Sequence, residues 1–244
     1  MNPIIVVPAR MASKRLPGKP LMDIGGKPMI VRVLERCREA NIGPVIVATP
    51  DKEIAAVAVE ADFGAVITDG GLASGSDAVW AAAQKHDPRH DVIINVQGDQ
   101  VGITPEHIRA SLIPLDNQFM DIGTLVAEEK DQAFARDENV VKAFVDLRKT
   151  VPNQGRAWYF FRGASPSYPV WRHIGVYAYR RKALEVFSKL QPTTSEKHSR
   201  LEQMRAIEND LFIGCAVVDS APDEVNTQAD LDRVLAKFAE GALH

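Results

Sequence analysis

The sequence predicts an α/β fold with a mixed, mainly parallel sheet flanked by helices. In the first hundred residues, short apolar runs rich in β-branched residues alternate with segments of helical periodicity. This alternation is typical of parallel strands joined by crossover helices. The second half carries further strand-like runs, and no linker, repeat or low-complexity segment divides the chain. We therefore predict a single domain over residues 1–244.

The first half contains four predicted strands and three predicted helices. Each strand is a short apolar run, as expected for a strand buried on both faces. The first helix carries its apolar residues on one face, and Asp51 is placed to cap the second. The strands are 4–7, 45–49, 65–68 and 91–96, and the helices are 29–40, the segment after Asp51, and 76–85.

The second half contains five predicted strands and three predicted helices. Its clearest strand is HIGVYAY, in which apolar and polar residues alternate. The strands are 120–127, 139–146, 157–161, 173–179 and 212–218, and the helices are 182–189, 200–208 and 228–239.

Composition excludes several classes of function. The chain has 244 residues and a net charge of -3 without a block of like charge, which argues against nucleic-acid or membrane-surface binding. The first ten residues lack the apolar stretch of a signal peptide, and no apolar run reaches the length of a membrane span. Cys37 and Cys215 are far apart and are expected to be buried thiols. A cytoplasmic protein is predicted.

A basic loop follows the first predicted strand. Residues 9–28 are rich in Gly and Pro and bring Arg10, Lys14, Arg15 and Lys19 close together. In open parallel sheets, ligands bind beyond the carboxyl ends of the strands, and guanidinium and ammonium groups suit a polyphosphate. The alternative is a solvated basic loop. Neither a Walker A motif nor a dinucleotide fingerprint is present.

Two more polar clusters follow predicted strands. Residues 72–77 follow the third strand and contain Ser74, while Gln97 to Gln100 follow the fourth. Asp99 is either a turn residue or a ligand for Mg²⁺, which is commonly held by one or two carboxylates and by substrate phosphates. Beside a polyphosphate loop, the metal interpretation is favoured.

A third group of candidates lies in the second half. His173 and Tyr177 share one face of a strand because their spacing is even. Arg162 follows the aromatic run WYFF and could bind a carboxylate, or it could cover the aromatic rings. A lone strand histidine is more often structural than functional, so both interpretations of His173 remain open. Glu202 and Gln203 complete the group.

These motifs together resemble the 3-deoxy-manno-octulosonate (Kdo) cytidylyltransferases, also called CMP-Kdo synthetases. The matching stretches span nearly the whole chain: VPARMASKRLPGKPLMDIGGKPMI, IVAT, SGSD, IINVQGD, ENVVKAFVD, YFFR, RHIGVYAYR and LEQMRAIE. The first of these and NVQGD are specific to this group of sugar nucleotidyltransferases. RHIGVYAYR followed by LEQMRAIE points to the Kdo branch.

The resemblance implies a nucleotide-diphospho-sugar transferase (Rossmann-like) fold, often dimeric, that uses CTP and Mg²⁺ in lipopolysaccharide biosynthesis. An acceptor hydroxyl attacks the α-phosphorus of CTP and releases pyrophosphate. Carried over by motif, the CTP phosphates are bound by Arg10, Ser13, Arg15 and Lys19, with Ser74 and Gln97 near the nucleotide. Asp99 and the residue at position 226 hold the metal. The acceptor faces Arg162, His173, Tyr177, Glu202 and Gln203.

The sequence departs from the family pattern at four places. Ala78 replaces an arginine, Gln100 replaces an acidic residue ahead of Val101-Gly102, and Asn226 replaces the second metal aspartate. The segment between Arg162 and His173 is also short. Asparagine keeps an oxygen ligand but removes a charge, so metal affinity is expected to fall unless Asp223 or Glu224 compensates.

Three functions therefore remain open. The chain is a Kdo cytidylyltransferase, a cytidylyltransferase for another acidic acceptor, or a non-catalytic homologue that binds nucleotide. The other acceptors are 8-amino Kdo, a sialic-type sugar or a small phosphonate. The shortened acceptor segment and Ala78 motivate the second, and Asn226 motivates the third.

Overall fold

The computed structural model describes residues 1–13, 15–72, 74–129, 134, 136–147, 153–164 and 170–243. Lys14 of the basic loop and Ala73 lie outside the described residues. The chain divides into two compact units. The first unit is Met1–Ile108 with Pro222–His244, and the second unit is Arg109–Ala221. The single domain over residues 1–244 stays a prediction.

The described residues form nine strands and eight α-helices, together with the short 3₁₀ segments Lys19–Leu21 and Ile113–Asp116. In chain order they are β1 (Pro3–Pro8), α1 (Met29–Glu39), β2 (Val45–Thr49), α2 (Lys52–Glu60), β3 (Gly64–Ile67), α3 (Gly75–Gln84), β4 (Val92–Val96), α4 (Pro105–Ala110), β5 (Ile122–Ala127), β6 (Lys142–Leu147), β7 (Gln154–Phe161), β8 (Trp171–Arg180), α5 (Arg181–Lys189), α6 (Thr194–Ser199), α7 (Gln203–Glu208), β9 (Ile213–Val218) and α8 (Gln228–Ala239).

The first unit has a parallel sheet in the order β3-β2-β1-β4. Its central strands are the most apolar, and Ile4, Ile5, Ile93 and Ile94 have no solvent exposure. The chain runs from β1 outward to β2 and β3 and then returns to β4 on the other side of β1. A sheet binds ligands at such a reversal, so the loops after β1 and β4 are placed side by side for this purpose.

The second unit has a mixed sheet in the order β8-β5-β9-β7-β6. Strands β5 and β9 are parallel, whereas β5–β8, β6–β7 and β7–β9 are antiparallel. Strand β6 also pairs with β8 over two residues, Lys142↔Arg172 and Ala143↔Trp171. The pairing of β5 with β8 shifts register between Thr124 and Leu125.

The predicted α/β class with helices flanking the sheet is confirmed. The mainly parallel character belongs to the first unit, because the second is largely antiparallel. Sequence reasoning missed α4 and α6, which are each six residues long and too short for a clear periodicity. The predicted helix 200–208 begins later, at Gln203, because Arg200 has a left-handed conformation (φ 56°) that ends α6.

Two local predictions have different outcomes. Asp51 precedes α2 but does not cap it through its side chain. Its Oδ2 atom instead accepts a hydrogen bond of 2.7 Å from the N–H of Met11, in the basic loop. Cys37 and Cys215 are free and buried, as predicted, and burial raises the pKa of both thiols. Among the described residues, no helix is long and apolar enough to cross a membrane.

Candidate active site

The basic loop after β1 is held in a defined conformation. The N–H of Gly18 donates to the carbonyl of Met11 at 3.0 Å, and the Met11 N–H is held by Asp51. Gly18 has a φ of 73°, a left-handed conformation that glycine adopts without a β-carbon clash. The loop therefore returns on itself before the Lys19–Leu21 turn, and this return sets the position of Lys19.

Lys19 joins the loop to the end of β4. Its Nζ atom lies 2.6 Å from Oδ2 of Asp99 and also donates to the carbonyl of Val225 at 3.1 Å. The two side chains of the ion pair are 15% and 24% exposed. An ion pair with this much access to water remains open to a charged ligand.

Arg15 makes a second link, to the segment before α8. Its guanidinium donates to Oδ1 of Asn226 at 2.8 Å, while Nδ2 of Asn226 donates to Oε2 of Glu224 at 3.2 Å. Glu224 also accepts from Nε2 of the buried Gln100 at 3.3 Å. Asp223 is bound instead by Lys237, at 2.7 and 2.8 Å. Of the two acidic residues expected to compensate for Asn226, Glu224 is therefore the one in contact with it.

Ser74 and Gln97 lie at the start of α3 and the end of β4. Ser74 forms a capping box with Asp77, in which each side chain accepts a hydrogen bond from the other residue's N–H. Gln97 donates to Asn95 at 2.9 Å, and Asn95 donates to Ser76 at 3.3 Å. These bonds join the polar cluster at residues 72–77 to the cluster that begins at Gln97. Ser74 thus has a structural duty that sequence reasoning did not assign, and its role near the nucleotide stays a prediction.

Arg10 and Ser13 complete the predicted phosphate group. Arg10 is exposed at the start of the loop, and Ser13 is half-buried, with its N–H donating to Met11 at 2.9 Å. Both lie on the same loop after β1 as Arg15 and Lys19, and of these four residues Lys19 is the one bonded to Asp99 beyond the end of β4.

The donor set around Asp99 suits a hard divalent cation. Asp99 supplies a carboxylate and Asn226 an amide oxygen, which are ligand types that Mg²⁺ accepts. No group of three or more His, Cys, Asp or Glu that could hold a metal is found within the described ranges. A bound Mg²⁺ would therefore take its other ligands from water and from a phosphate substrate, the usual arrangement for this ion.

Two candidates of the second unit, His173 and Tyr177, belong to a buried cluster. Nε2 of His173 lies 3.1 Å from Oγ1 of Thr124, and the ring packs against Phe160 and Tyr177 with centroids 4.8 and 5.5 Å away. Burial, and secondarily the positive charge of Arg162, lowers the pKa of His173 to about 3. Burial also raises the pKa of Tyr177. Both rings are therefore neutral at physiological pH.

Arg162 is exposed, and its guanidinium binds backbone carbonyls of the loop before β6. It donates to the carbonyls of Asn139 at 2.7 Å and Glu138 at 3.4 Å. Lys142, which has no solvent exposure, donates to the carbonyls of Asp137 and of Val140, the latter at 3.2 Å. Burial lowers the pKa of Lys142. Sequence reasoning gave Lys142 no role, although a lysine within the apolar run VVKAFV was a signal.

Glu202 and Gln203 lie at the start of α7. Gln203 is buried and Glu202 is half-buried. Two residues further, the buried Arg205 forms a bidentate ion pair with Glu196 of α6, at 2.9 and 2.5 Å. Bidentate pairs fix geometry as well as adding energy. Arg205 therefore anchors the helix that carries two of the predicted acceptor residues.

The first unit is a parallel α/β sheet with a basic loop and a carboxylate beyond its reversal point, which is where open α/β sheets bind their ligands. A family profile described as Cytidylyltransferase matches residues 4–213. The chain belongs to the cytidylyltransferase family.

Within this family, the chain is similar to proteins named 3-deoxy-manno-octulosonate cytidylyltransferase. The one from Rhodospirillum centenum is 48% identical over 239 residues, which cover 96% of this chain and 93% of the relative. The one from Paramagnetospirillum magneticum is 49% identical over 243 residues and covers 97% of each chain. The resemblance inferred from the motifs is confirmed.

A solved structure supports the same grouping. The structure of CMP:2-keto-3-deoxy-manno-octonic acid synthetase complexed with CTP matches with a TM-score of 0.89 and 33% identity, covering 99% of this chain and 100% of the other. The structure of 4-diphosphocytidyl-2C-methyl-D-erythritol synthase from Anaerococcus prevotii matches with a TM-score of 0.64 at 11% identity, which is evidence for the fold alone.

Proposed function

We propose that this chain transfers CMP from CTP to Kdo and releases pyrophosphate. The observation that carries the proposal is the convergence of Arg15, Lys19, Asp99 and Asn226 beyond the ends of β1 and β4. Arg15 and Lys19 bind oxygen atoms of Asn226 and Asp99 there. A nucleotide would offer its phosphate oxygens to the two basic side chains, and its cation would take the oxygens of Asn226 and Asp99. The curated relatives named as Kdo cytidylyltransferases support the same activity.

The basic loop binds the triphosphate. Arg10, Ser13, Arg15 and Lys19 supply guanidinium, hydroxyl and ammonium donors, and Ser74 and Gln97 lie near the rest of the nucleotide. The oxygen of the acceptor hydroxyl bonds to the α-phosphorus of CTP. The bond between that phosphorus and the oxygen bridging to the β-phosphate breaks, pyrophosphate leaves, and the hydroxyl proton passes to water. Such transfers depend mainly on positioning and charge neutralisation, which this loop is equipped to supply.

The proposed cofactor is Mg²⁺, held by Asp99 and Asn226. When bound, it would polarise the α-phosphate and lower the pKa of the acceptor hydroxyl. Lys19 then has a second duty, because its ammonium group neutralises Asp99 when no other cation is present.

The second unit recognises the acceptor. Arg162 is proposed to bind the carboxylate, and the neutral His173 and Tyr177 to hydrogen-bond sugar hydroxyls, with Glu202 and Gln203 contributing from α7. A neutral pair discriminates by hydrogen-bond direction rather than by charge. A homodimer and a cytoplasmic location are also proposed, from the resemblance and the sequence.

A different acidic acceptor is the second candidate. Asn226 removes a negative charge from the metal site, and an acceptor with extra charge, such as a small phosphonate, could replace it. A non-catalytic homologue is disfavoured by the intact basic loop and Asp99.

Pyrophosphate release tests all three candidates. The purified protein is incubated with Mg²⁺ and either CTP, UTP or ATP, together with Kdo, 8-amino Kdo, a sialic-type sugar or a small phosphonate. We expect release only with CTP and fastest with Kdo, and mass spectrometry should detect CMP-Kdo. Faster release with another acid would replace Kdo as the substrate, and CTP binding without release from any acceptor would favour the non-catalytic homologue.

A further inference from the structure

Thr124 sits at a crowded hydrogen-bonding position beside His173. Its side chain has no solvent exposure. Its Oγ1 atom lies 2.8 Å from the carbonyl oxygen of Val176, 3.2 Å from that of Ile174, and 3.1 Å from Nε2 of His173. One hydroxyl therefore faces two carbonyl oxygens and one ring nitrogen.

An irregularity in the sheet creates this position. Thr124 of β5 pairs with Tyr177 of β8, but the next residue, Leu125, pairs with Ile174. Two residues of β8 are thus passed over, as in a β-bulge, which releases backbone groups from the regular ladder and redirects them. The Ile174 and Val176 carbonyls both reach the Thr124 hydroxyl as a result.

The number of protons decides the direction of each bond. A threonine hydroxyl has one proton to donate and two lone pairs to accept with, whereas a carbonyl oxygen can only accept. Two oxygens at 2.8 Å require a proton between them, so Thr124 donates to Val176. The hydroxyl then has only lone pairs to offer to His173, and Nε2 must carry the proton.

We propose that Thr124 is a positioning residue that holds His173 as its Nε2–H tautomer, so that Nδ1 accepts a hydrogen bond from a hydroxyl of the acceptor sugar. The proton on Nε2 follows from the geometry, and the absence of a proton on Nδ1 follows because the ring is neutral, while the role of Nδ1 rests on the proposed function. Burial and Arg162 keep the ring neutral, and Phe160 and Tyr177 fix its plane. The ring therefore selects a sugar that places a hydrogen-bond donor opposite Nδ1. It disfavours a sugar that places a hydrogen-bond acceptor there.

Two substitutions separate the hydroxyl from the shape of the side chain. Thr124→Val keeps the branched shape and removes the hydroxyl, and Thr124→Ser keeps the hydroxyl and removes the methyl group. Each protein is labelled with ¹⁵N-histidine, and long-range ¹H–¹⁵N spectra report which ring nitrogen carries the proton. The His173 signals are assigned as those lost in His173→Gln.

We expect the wild-type protein and Thr124→Ser to give the Nε2–H pattern for His173. In Thr124→Val we expect the Nδ1–H form to appear. We also expect kcat/KM for the acceptor to fall about tenfold, with the KM for CTP unchanged, and Thr124→Ser to retain most of the acceptor activity. A merely structural role for Thr124 would not change the tautomer.

An Nδ1–H pattern in the wild-type protein would overturn the inference, as would an unchanged tautomer and acceptor KM in Thr124→Val. A wild-type protein with the Nε2–H pattern but no transfer to Kdo would overturn the proposed function and leave the tautomer assignment standing. Because the spectra need no substrate, the two failures are distinguishable.

Discussion

The two units build their candidate sites from opposite kinds of interaction. In the first unit, Lys19 and Asp99 form an ion pair that keeps contact with water, with side chains 15% and 24% exposed. In the second, Thr124 and His173 are buried and neutral and are joined by a hydrogen bond. Charges that must exchange partners with a triphosphate need access to water, because fully buried ions are costly to separate.

This contrast has consequences for substitution. In the first unit, removing a charge should change ligand binding more than folding. In the second unit, the buried groups serve both folding and ligand binding. Removing the partner of a buried polar atom should therefore lower stability and weaken recognition of the ligand.

The largest effect is expected for Asp99→Ala. The substitution removes the carboxylate proposed to bind Mg²⁺ and leaves Lys19 without its ion-pair partner. We expect kcat with CTP and Kdo to fall about 100-fold or more, while the unfolding temperature changes little. The control is Asp232→Ala, which removes an exposed carboxylate from α8 of the same unit. Full activity of Asp99→Ala at low Mg²⁺ would remove Asp99 from the metal site.

The next effect concerns the basic loop, which is proposed to bind the triphosphate. Arg15→Ala and Lys19→Ala each remove a charged donor, so CTP affinity should fall by about 1.5–3 kcal/mol, or roughly ten- to 100-fold. Isothermal titration with CTP in the absence of an acceptor measures it. Lys27→Ala is the matched control, because Lys27 is an exposed lysine paired with Glu35 at 2.6 Å. Wild-type affinity in both loop variants would contradict the assignment.

The second unit should respond to acid through His173. The pKa of His173 is about 3 in the folded protein, below the ordinary value of 6.5. Between these two pH values the unfolded chain binds a proton at this ring and the folded protein does not. The contribution of His173 to the free energy of unfolding is therefore fully present above pH 6.5 and is lost as the pH falls toward 3. Lowering the pH from 7.5 to 5 should reduce the free energy of unfolding by about 2 kcal/mol through His173.

Urea unfolding of the wild-type protein and His173→Gln at both pH values measures this effect. Glutamine cannot take up the proton, and its amide can donate to Thr124 in place of Nε2–H. The other histidines are common to both proteins, so their contributions cancel in the comparison. Equal losses of stability in the two proteins would mean that His173 is protonated freely in the native state.

The two units also differ in how much of their candidate sites could be predicted from the sequence. Arg15, Lys19 and Asp99 follow apolar strands, and the rule that ligands bind at strand ends was enough to group them. The bond from Arg15 to Asn226 joins residues 211 positions apart. The resemblance assigned one of them to the phosphates and the other to the metal, and this bond was not predicted. Thr124 lies inside a strand, and its role depends on a register shift in the neighbouring pairing, which periodicity does not report.

The smallest effect is expected at Asn226, where the first unit departs from a two-aspartate metal site. Asn226 accepts from Arg15 at 2.8 Å and donates to Glu224 at 3.2 Å. Asn226→Asp adds a negative charge beside the proposed Mg²⁺ and turns the bond to Glu224 into a contact between like charges. The first change favours the cation and the second opposes folding, but a bound cation relieves both charges at once.

Asn226→Asp should therefore lower the Mg²⁺ concentration for half-maximal activity with Kdo by about threefold, an amount typical of a partly screened charge near a surface site. Glu224→Gln should raise it, because the carboxylate of Glu224 accepts a hydrogen bond from the side-chain amide of Asn226. With a more anionic acceptor such as a phosphonate, Asn226→Asp should give no gain or should inhibit, because the acceptor then brings its own charge to the metal. Mg²⁺ titrations of the three proteins with both acceptors measure these shifts. Identical curves for wild type and Asn226→Asp would place position 226 away from the metal, and the first unit would then bind its cation through Asp99 and the nucleotide alone.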